Sequence, residues 1–199
     1  MVKQQKEMVG ADGKPIRAFA DRAAWASWLA ANHMESTGVW VRLANRGAPD
    51  PSVSYAEAVE VALCYGWIDG QARRVDDQHR IQKFTRRRKR SMWSKRNRDR
   101  ALALIERGEM QPAGLAEVER AQQDGRWESA YDAPSEMTVP DDLRTALEEN
   151  PAAGAFFGTL DSRNRYSILF RLQTAKRAET RAKRIRDFVD MLAKHEKLY

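Results

Sequence analysis

The side chains that could do chemistry crowd into one stretch, F-T-R-R-R-K-R-S-M-W-S-K-R-N at residues 84–97. Across residues 73–100 stand thirteen lysines and arginines against three aspartates, a surplus of ten, while the whole chain carries +7. The remainder is therefore net negative, and the basic character is local. Cations packed this closely repel one another, so they call for an anionic partner or an acidic surface of the same chain. An anion site here would draw on Arg73, Arg86, Arg87, Arg88, Arg90, Trp93, Lys95 and Arg96. Trp93 sits inside the run, where an indole could stack on a base or lie under a guanidinium. The plainer reading is a core tryptophan and a solvated face paired to Glu106, Glu109, Glu117 and Glu119. Exposed pairs of that kind contribute roughly 0–1 kcal/mol each and hardly require such density. If about five of these cations met phosphates, binding would fall several hundredfold between about 50 and 200 mM salt.

One carboxylate has the setting for acid/base work. Asp69, in G-W-I-D-G at 66–70, follows two apolar residues where a helix gives way to a strand. A half-buried carboxylate holds its proton more tightly unless a cation pairs with it, and Arg73 lies four residues on. The structural alternative is an Asp–Arg pair or a turn-forming residue at that junction. His33, His79 and His195 are widely separated, and Cys64 is the only cysteine. That spacing gives no metal framework, and no Walker, dinucleotide or G-x-S-x-G fingerprint occurs, so neither a metal nor a cofactor is expected.

The elements that must position these residues follow from period and punctuation. Asp21 can cap a helix running to Asn32, with Trp25, Trp28 and Leu29 on one face. Residues 39–43 read as a strand, and Ser54 with Glu57 has capping-box spacing for a helix that Gly66 stops. Residues 67–75 and 80–85 read as a hairpin around Asp76-Asp77-Gln78-His79. From Ser91 onward the pattern is helical: 94–107, 112–125, 140–149, 151–159, 162–174 and 179–194. In the last of these Ile185, Phe188, Val189 and Leu192 make an apolar stripe, with Arg177, Arg181 and Arg184 read as a solvated face. The fold class is α+β, a small antiparallel sheet with helices in the N-terminal half and a helical C-terminal module. Residues 1–18 read as a flexible lead-in, 19–130 as the α+β domain and 140–199 as the helical module, with the proline-bearing segment 131–140 between them.

Composition narrows the class. With 42% hydrophobic residues the chain is globular rather than disordered. No apolar run approaches a membrane span, the first residues lack a secretory pattern, and a single cysteine suits a reducing compartment, so a cytoplasmic location is expected.

Several strings together resemble the YdeI/OmpD-associated family of bacteria, also called bacteriocin-protection proteins. They are Y-A-E-A-V-E-V-A-L-C-Y-G-W-I-D-G (55–70), the basic run itself (84–97), G-E-M-Q-P-A-G-L (108–115) and R-Y-S-I-L-F-R-L-Q-T-A-K-R-A-E-T-R-A-K-R-I (165–185). The resemblance spans residues 19–195. It departs from the expected pattern at Arg86, where a proline would follow Phe-Thr; arginine adds a charge and frees a backbone amide. The resemblance implies a role in tolerance of antimicrobial peptides or envelope stress, with association with a porin, and it implies no reaction and no catalytic residue.

Three functional classes stay open. A non-catalytic binding protein would use the basic ribbon for an anionic ligand, a nucleic acid or an acidic protein surface. An enzyme would act on a small phosphorylated or acidic ligand, with Asp69 as acid/base and Arg73, Arg87 or Lys95 as clamps. An interaction module would dock through its C-terminal helices. A flat basic surface favours the first, a pocket joining Asp69 to the arginines the second, and an exposed apolar patch on the last two helices the third. At +7 the chain would repel cationic peptides rather than sequester them.

Overall fold

A computed structural model describes residues 8–199. Its elements in chain order are β1 (Ile16–Ala18), α1 (Arg22–Asn32), β2 (Val39–Ala44), α2 (Tyr55–Cys64), β3 (Trp67–Arg74) and β4 (His79–Arg86). Six helices follow: α3 (Lys95–Glu106), α4 (Pro112–Gln123), α5 (Asp141–Glu148), α6 (Pro151–Thr159), α7 (Ser162–Gln173) and α8 (Ala178–Ala193). The class is α+β. Two compact units are present, one of residues up to Trp93 with Asn97–Ser129, the other of Ser94–Arg96 with Ala130–Tyr199.

In the first unit the sheet order is β1-β2-β4-β3. β2 and β4 pair antiparallel with Val39 opposite Phe84 and Leu43 opposite Arg80, and β3 closes the hairpin on β4. The alternation of side chains puts Val39, Val41, Leu43, Phe84 and Trp67 on one face, where α1 and α2 cover them. Trp25 of α1 meets the Phe84 ring at 5.5 Å, and its indole N–H donates to the Ala58 carbonyl of α2 at 3.0 Å. The caps stand where the sequence puts them: Asp21 accepts from the Ala24 amide at 2.8 Å, and Ser54 and Glu57 form the reciprocal capping box.

The lead-in differs from expectation. Ile16–Ala18 forms a parallel edge strand beside β2, so residues 16–18 belong to the sheet, and Val9 makes an isolated bridge to Pro15; the first seven residues of that lead-in lie outside the described residues. The physical reason is Trp40, which points to the sheet face away from α1 and is wholly buried. Asp12 accepts from its indole N–H at 2.8 Å and meets Lys83 at 2.6 Å, while Arg73 lies 5.2 Å over the ring. The ammonium and the indole hold the Asp12 carboxyl well below its usual range.

The second unit closes around Leu143 and Leu147 of α5, Phe157 of α6, Ile168 and Leu172 of α7 and Ile185, Phe188 and Leu192 of α8. The polar side of α8 is less free than a solvated face. Arg181 grips Asp142 through two nitrogens at 2.6 and 2.8 Å and donates to the Leu172 carbonyl at 2.8 Å, and Arg184 donates to the Arg171 carbonyl. These carbonyls lie in the last turn of α7, and that of Leu172 also accepts from the Ala175 amide at 3.1 Å. No helix among the described residues is long and apolar enough to cross a membrane.

Candidate anion-binding site

The basic run divides according to what its residues do. β4 continues through Arg86, the position expected to hold proline, and the amide of the next residue, Arg87, donates to the Gly66 carbonyl at 3.0 Å. Arg87 then turns inward. Its side chain is buried, its guanidinium lies 3.7 Å over the Trp93 ring, and its Nη1 donates to the Met92 carbonyl at 3.2 Å. Trp93 itself is 1% exposed, with the Trp127 ring set edge-on to it at a separation of 4.9 Å. A cation held on an indole away from water is attracted by up to about 2 kcal/mol, which helps offset its desolvation.

Past Arg87 the chain makes a tight turn over residues 88–91. The Ser91 amide donates to the Arg88 carbonyl at 2.9 Å, and the Arg88 amide donates to the Ser91 hydroxyl at 2.9 Å. Arg126, buried beside Asp124, donates to the Ser91 carbonyl at 2.8 Å and pins the turn from below. Arg88, Lys89 and Arg90 stand exposed on this fixed backbone, and Arg86 is exposed just before it. Among the described residues none of these four side chains has an ion-pair partner. The others are separate from them. Arg73 leans on Trp40, and Lys95 and Arg96 fall in the second unit, where Lys95 meets Asp132 at 2.5 Å and Arg96 is exposed.

Of the acids named as partners for the run, Glu109 and Glu117 are engaged elsewhere. Glu109 holds Arg22 and Arg107 at 2.5 and 2.6 Å, which keeps its carboxyl below the usual range. Glu117 is buried and accepts from Arg120 at 2.8 Å. Asp69 accepts from the Tyr55 hydroxyl at 2.7 Å rather than pairing with Arg73. Cys64 is buried, and burial pushes its thiol up to about 11, too high for a nucleophile near neutral pH. His33 bonds the Leu29 carbonyl, His79 is buried between Asp76 and Arg42, and His195 stacks on Phe156.

A cleft of about 370 Å³ opens next to the run in the first unit, one that the sequence reading does not contain. Arg86 lines it from the end of β4 and Arg87 from just after it, His33 from the end of α1, and Tyr65 and Gly66 from the end of α2. Ala113, Ala116, Glu117 and Arg120 line it from α4. Gly66 makes this convergence sterically feasible. Its φ of +71° ends α2, and a Cβ there would sit 2.8 Å from the Ala113 carbonyl and 3.0 Å from Cγ of Glu117. At Gly114 the approach is closer still, with a Cβ 2.3 Å from the Cys64 carbonyl. Two glycines thus let α4 lie against the end of α2 and bring Glu117 and Arg120 to Arg86 and Arg87. Only Arg86 and Arg87 of this lining stand out in the sequence as site residues; the glycines and Pro112 were the one signal that α4 closes on this place. Asp69 is not among the lining residues.

Two family models match the chain. Residues 17–117 match a domain of unknown function (DUF8412), and residues 136–195 match the model described as Bacteriocin-protection, YdeI or OmpD-Associated. The strings at 55–115 that suggested the second family thus fall within the first model's range. No curated protein and no solved structure matches.

Proposed function

We propose that this chain, which belongs through residues 17–117 to a domain family of unknown function and matches the bacteriocin-protection, YdeI or OmpD-associated model over residues 136–195, is a non-catalytic protein that binds an anionic partner through Arg86, Arg88, Lys89 and Arg90. The observation that carries this reading is the turn at 88–91, which holds three exposed cations on a hydrogen-bonded backbone with no acid of the described chain against them. Placing like charges on a fixed turn costs electrostatic free energy that a polyanion or an acidic protein surface would recover. The role in the name of the family matched by residues 136–195, bacteriocin protection, suits a binder acting in envelope stress, and the partner is then acidic rather than a cationic peptide. The enzyme alternative draws no support from Asp69, which is bonded to Tyr55 and stands apart from the arginine-lined cleft. Nor does docking through α7 and α8, since the large exposed hydrophobics among the described residues lie on other segments.

The test is a fluorescence-anisotropy titration with labelled single-stranded DNA, single-stranded RNA and poly-glutamate, repeated with Arg88, Lys89 and Arg90 changed to serine. With four cations on a single strand, affinity should drop about 50-fold from about 50 to 200 mM salt. The triple variant should lose most of that slope. Absence of binding to all three probes at the low salt, or binding the variant retains in full, would overturn the proposal.

A further inference from the structure

The arginine-lined cleft has the make-up of a small-molecule site distinct from the turn. Its polar side presents Arg86, Arg87 and Arg120 against a single carboxylate, that of Glu117. Two of the guanidiniums are held before any ligand arrives. Arg87 is fixed on Trp93 and the Met92 carbonyl, and Arg120 is tied to Glu117 Oε1 at 2.8 Å. Groups held in place lose less freedom on binding, so more of the interaction appears as affinity. The rest of the lining is apolar or aromatic. His33 and Tyr65 stand with ring centres 5.1 Å apart, and Met34, Ala113, Ala116 and Gly66 complete it. Burial raises the Tyr65 hydroxyl, which therefore stays a neutral donor. The volume of about 370 Å³ falls at the small end of the range of ligand clefts, roughly 300–1,000 Å³.

We infer that this cleft binds a small organic anion, with one phosphate or carboxylate head at Arg86 and Arg120 and a flat apolar body between His33, Tyr65 and the alanines of α4. Glu117 sets the number of heads at one. Its buried Oε2 accepts no hydrogen bond among the described residues, and a second anionic group placed against it would be repelled. The inference deepens the anion reading of the preceding subsection through Arg86 alone, and it can stand if the turn binds nothing.

Isothermal titration with phenyl phosphate and with benzoate tests it, using inorganic phosphate as head alone and benzyl alcohol as body alone. At least one of the two complete ligands should bind about tenfold or more tighter than either fragment, because head and body are both engaged. The better of the two identifies the head as phosphate or carboxylate. Ala116→Phe, at an exposed position of α4, fills the cleft and should abolish that gain. The serine variant of Arg88, Lys89 and Arg90 should keep it, which separates this site from the turn. The imidazole proton signals of His33 should shift with the same saturation curve, a readout that does not depend on the variant folding normally. If neither complete ligand binds more tightly than its fragments, or if Ala116→Phe binds as well as the parent chain, the inference fails.

Discussion

Two stretches of this molecule are alike in letters and unlike in function: the arginines of residues 86–90 in the first unit and those of α8 in the second. Both are cation-rich, although α8 also carries Glu179, Asp187 and Asp190. On α8, Arg181 and Arg184 are absorbed by Asp142 and the final carbonyls of α7, so the positive charge there completes a helix end. Within residues 86–90 only Arg87 is absorbed, into the stack on Trp93, while Arg86, Arg88, Lys89 and Arg90 face solvent. Charge density in a sequence therefore signals a site only after internal acceptors have been counted.

That contrast can be broken or sharpened by substitution. The largest effect should come from Arg87→Ala, which strips the guanidinium from a buried indole and leaves a void; a loss of about 2–4 kcal/mol in urea unfolding is expected. Arg181→Ala should cost less, about 1–3 kcal/mol, because the side chain is partly exposed although three hydrogen bonds are lost. If Arg181→Ala were neutral, α8 would be as free as the turn and the contrast would collapse. A smaller effect should appear in acid. The Arg181 hydrogen bond holds the Asp142 carboxyl below its usual value near 3.8. A group depressed in this way stabilises the fold above its unfolded value and loses that contribution as pH falls through the folded one. The stability gap between the parent chain and Asp142→Asn should thus be full near about pH 6 and shrink below about pH 4 in acid-titrated unfolding curves. Arg88→Ala should have the smallest effect, within about 0.5 kcal/mol, while it weakens polyanion binding. A marked stability loss there would mean that the turn's cations are structural.

Much of the scaffold is legible in the chain because its punctuation is local. Asp21, Ser54 with Glu57, Gly66, Pro112 and Pro151 each fix a helix end through neighbours a few residues away. β1 escapes detection because three residues carry no alternation and their partner, β2, is a parallel strand more than twenty residues on. The cleft is illegible for a related reason, since four elements supply its walls and Glu117 reads in sequence as an ordinary surface acid. Arg87 and Arg88 are adjacent and identical, and nothing in the letters says that one faces Trp93 and the next faces water.

Among the described residues the sheet order leaves β3 with one neighbour, β4, and its other edge unpaired. Such an edge is a template on which a second chain can lay a strand, and it is one way by which β proteins aggregate. Here the strand is interrupted by a register shift between Asp69 and Ala72, and its outer half carries exposed Arg73 and Arg74. A bulge twists the edge away from a flat partner, and an incoming strand would have to accommodate two guanidiniums. Arg73 and Arg74, at the start of the basic stretch 73–100, thus disfavour growth of one copy onto the next, and that effect involves no ligand at all.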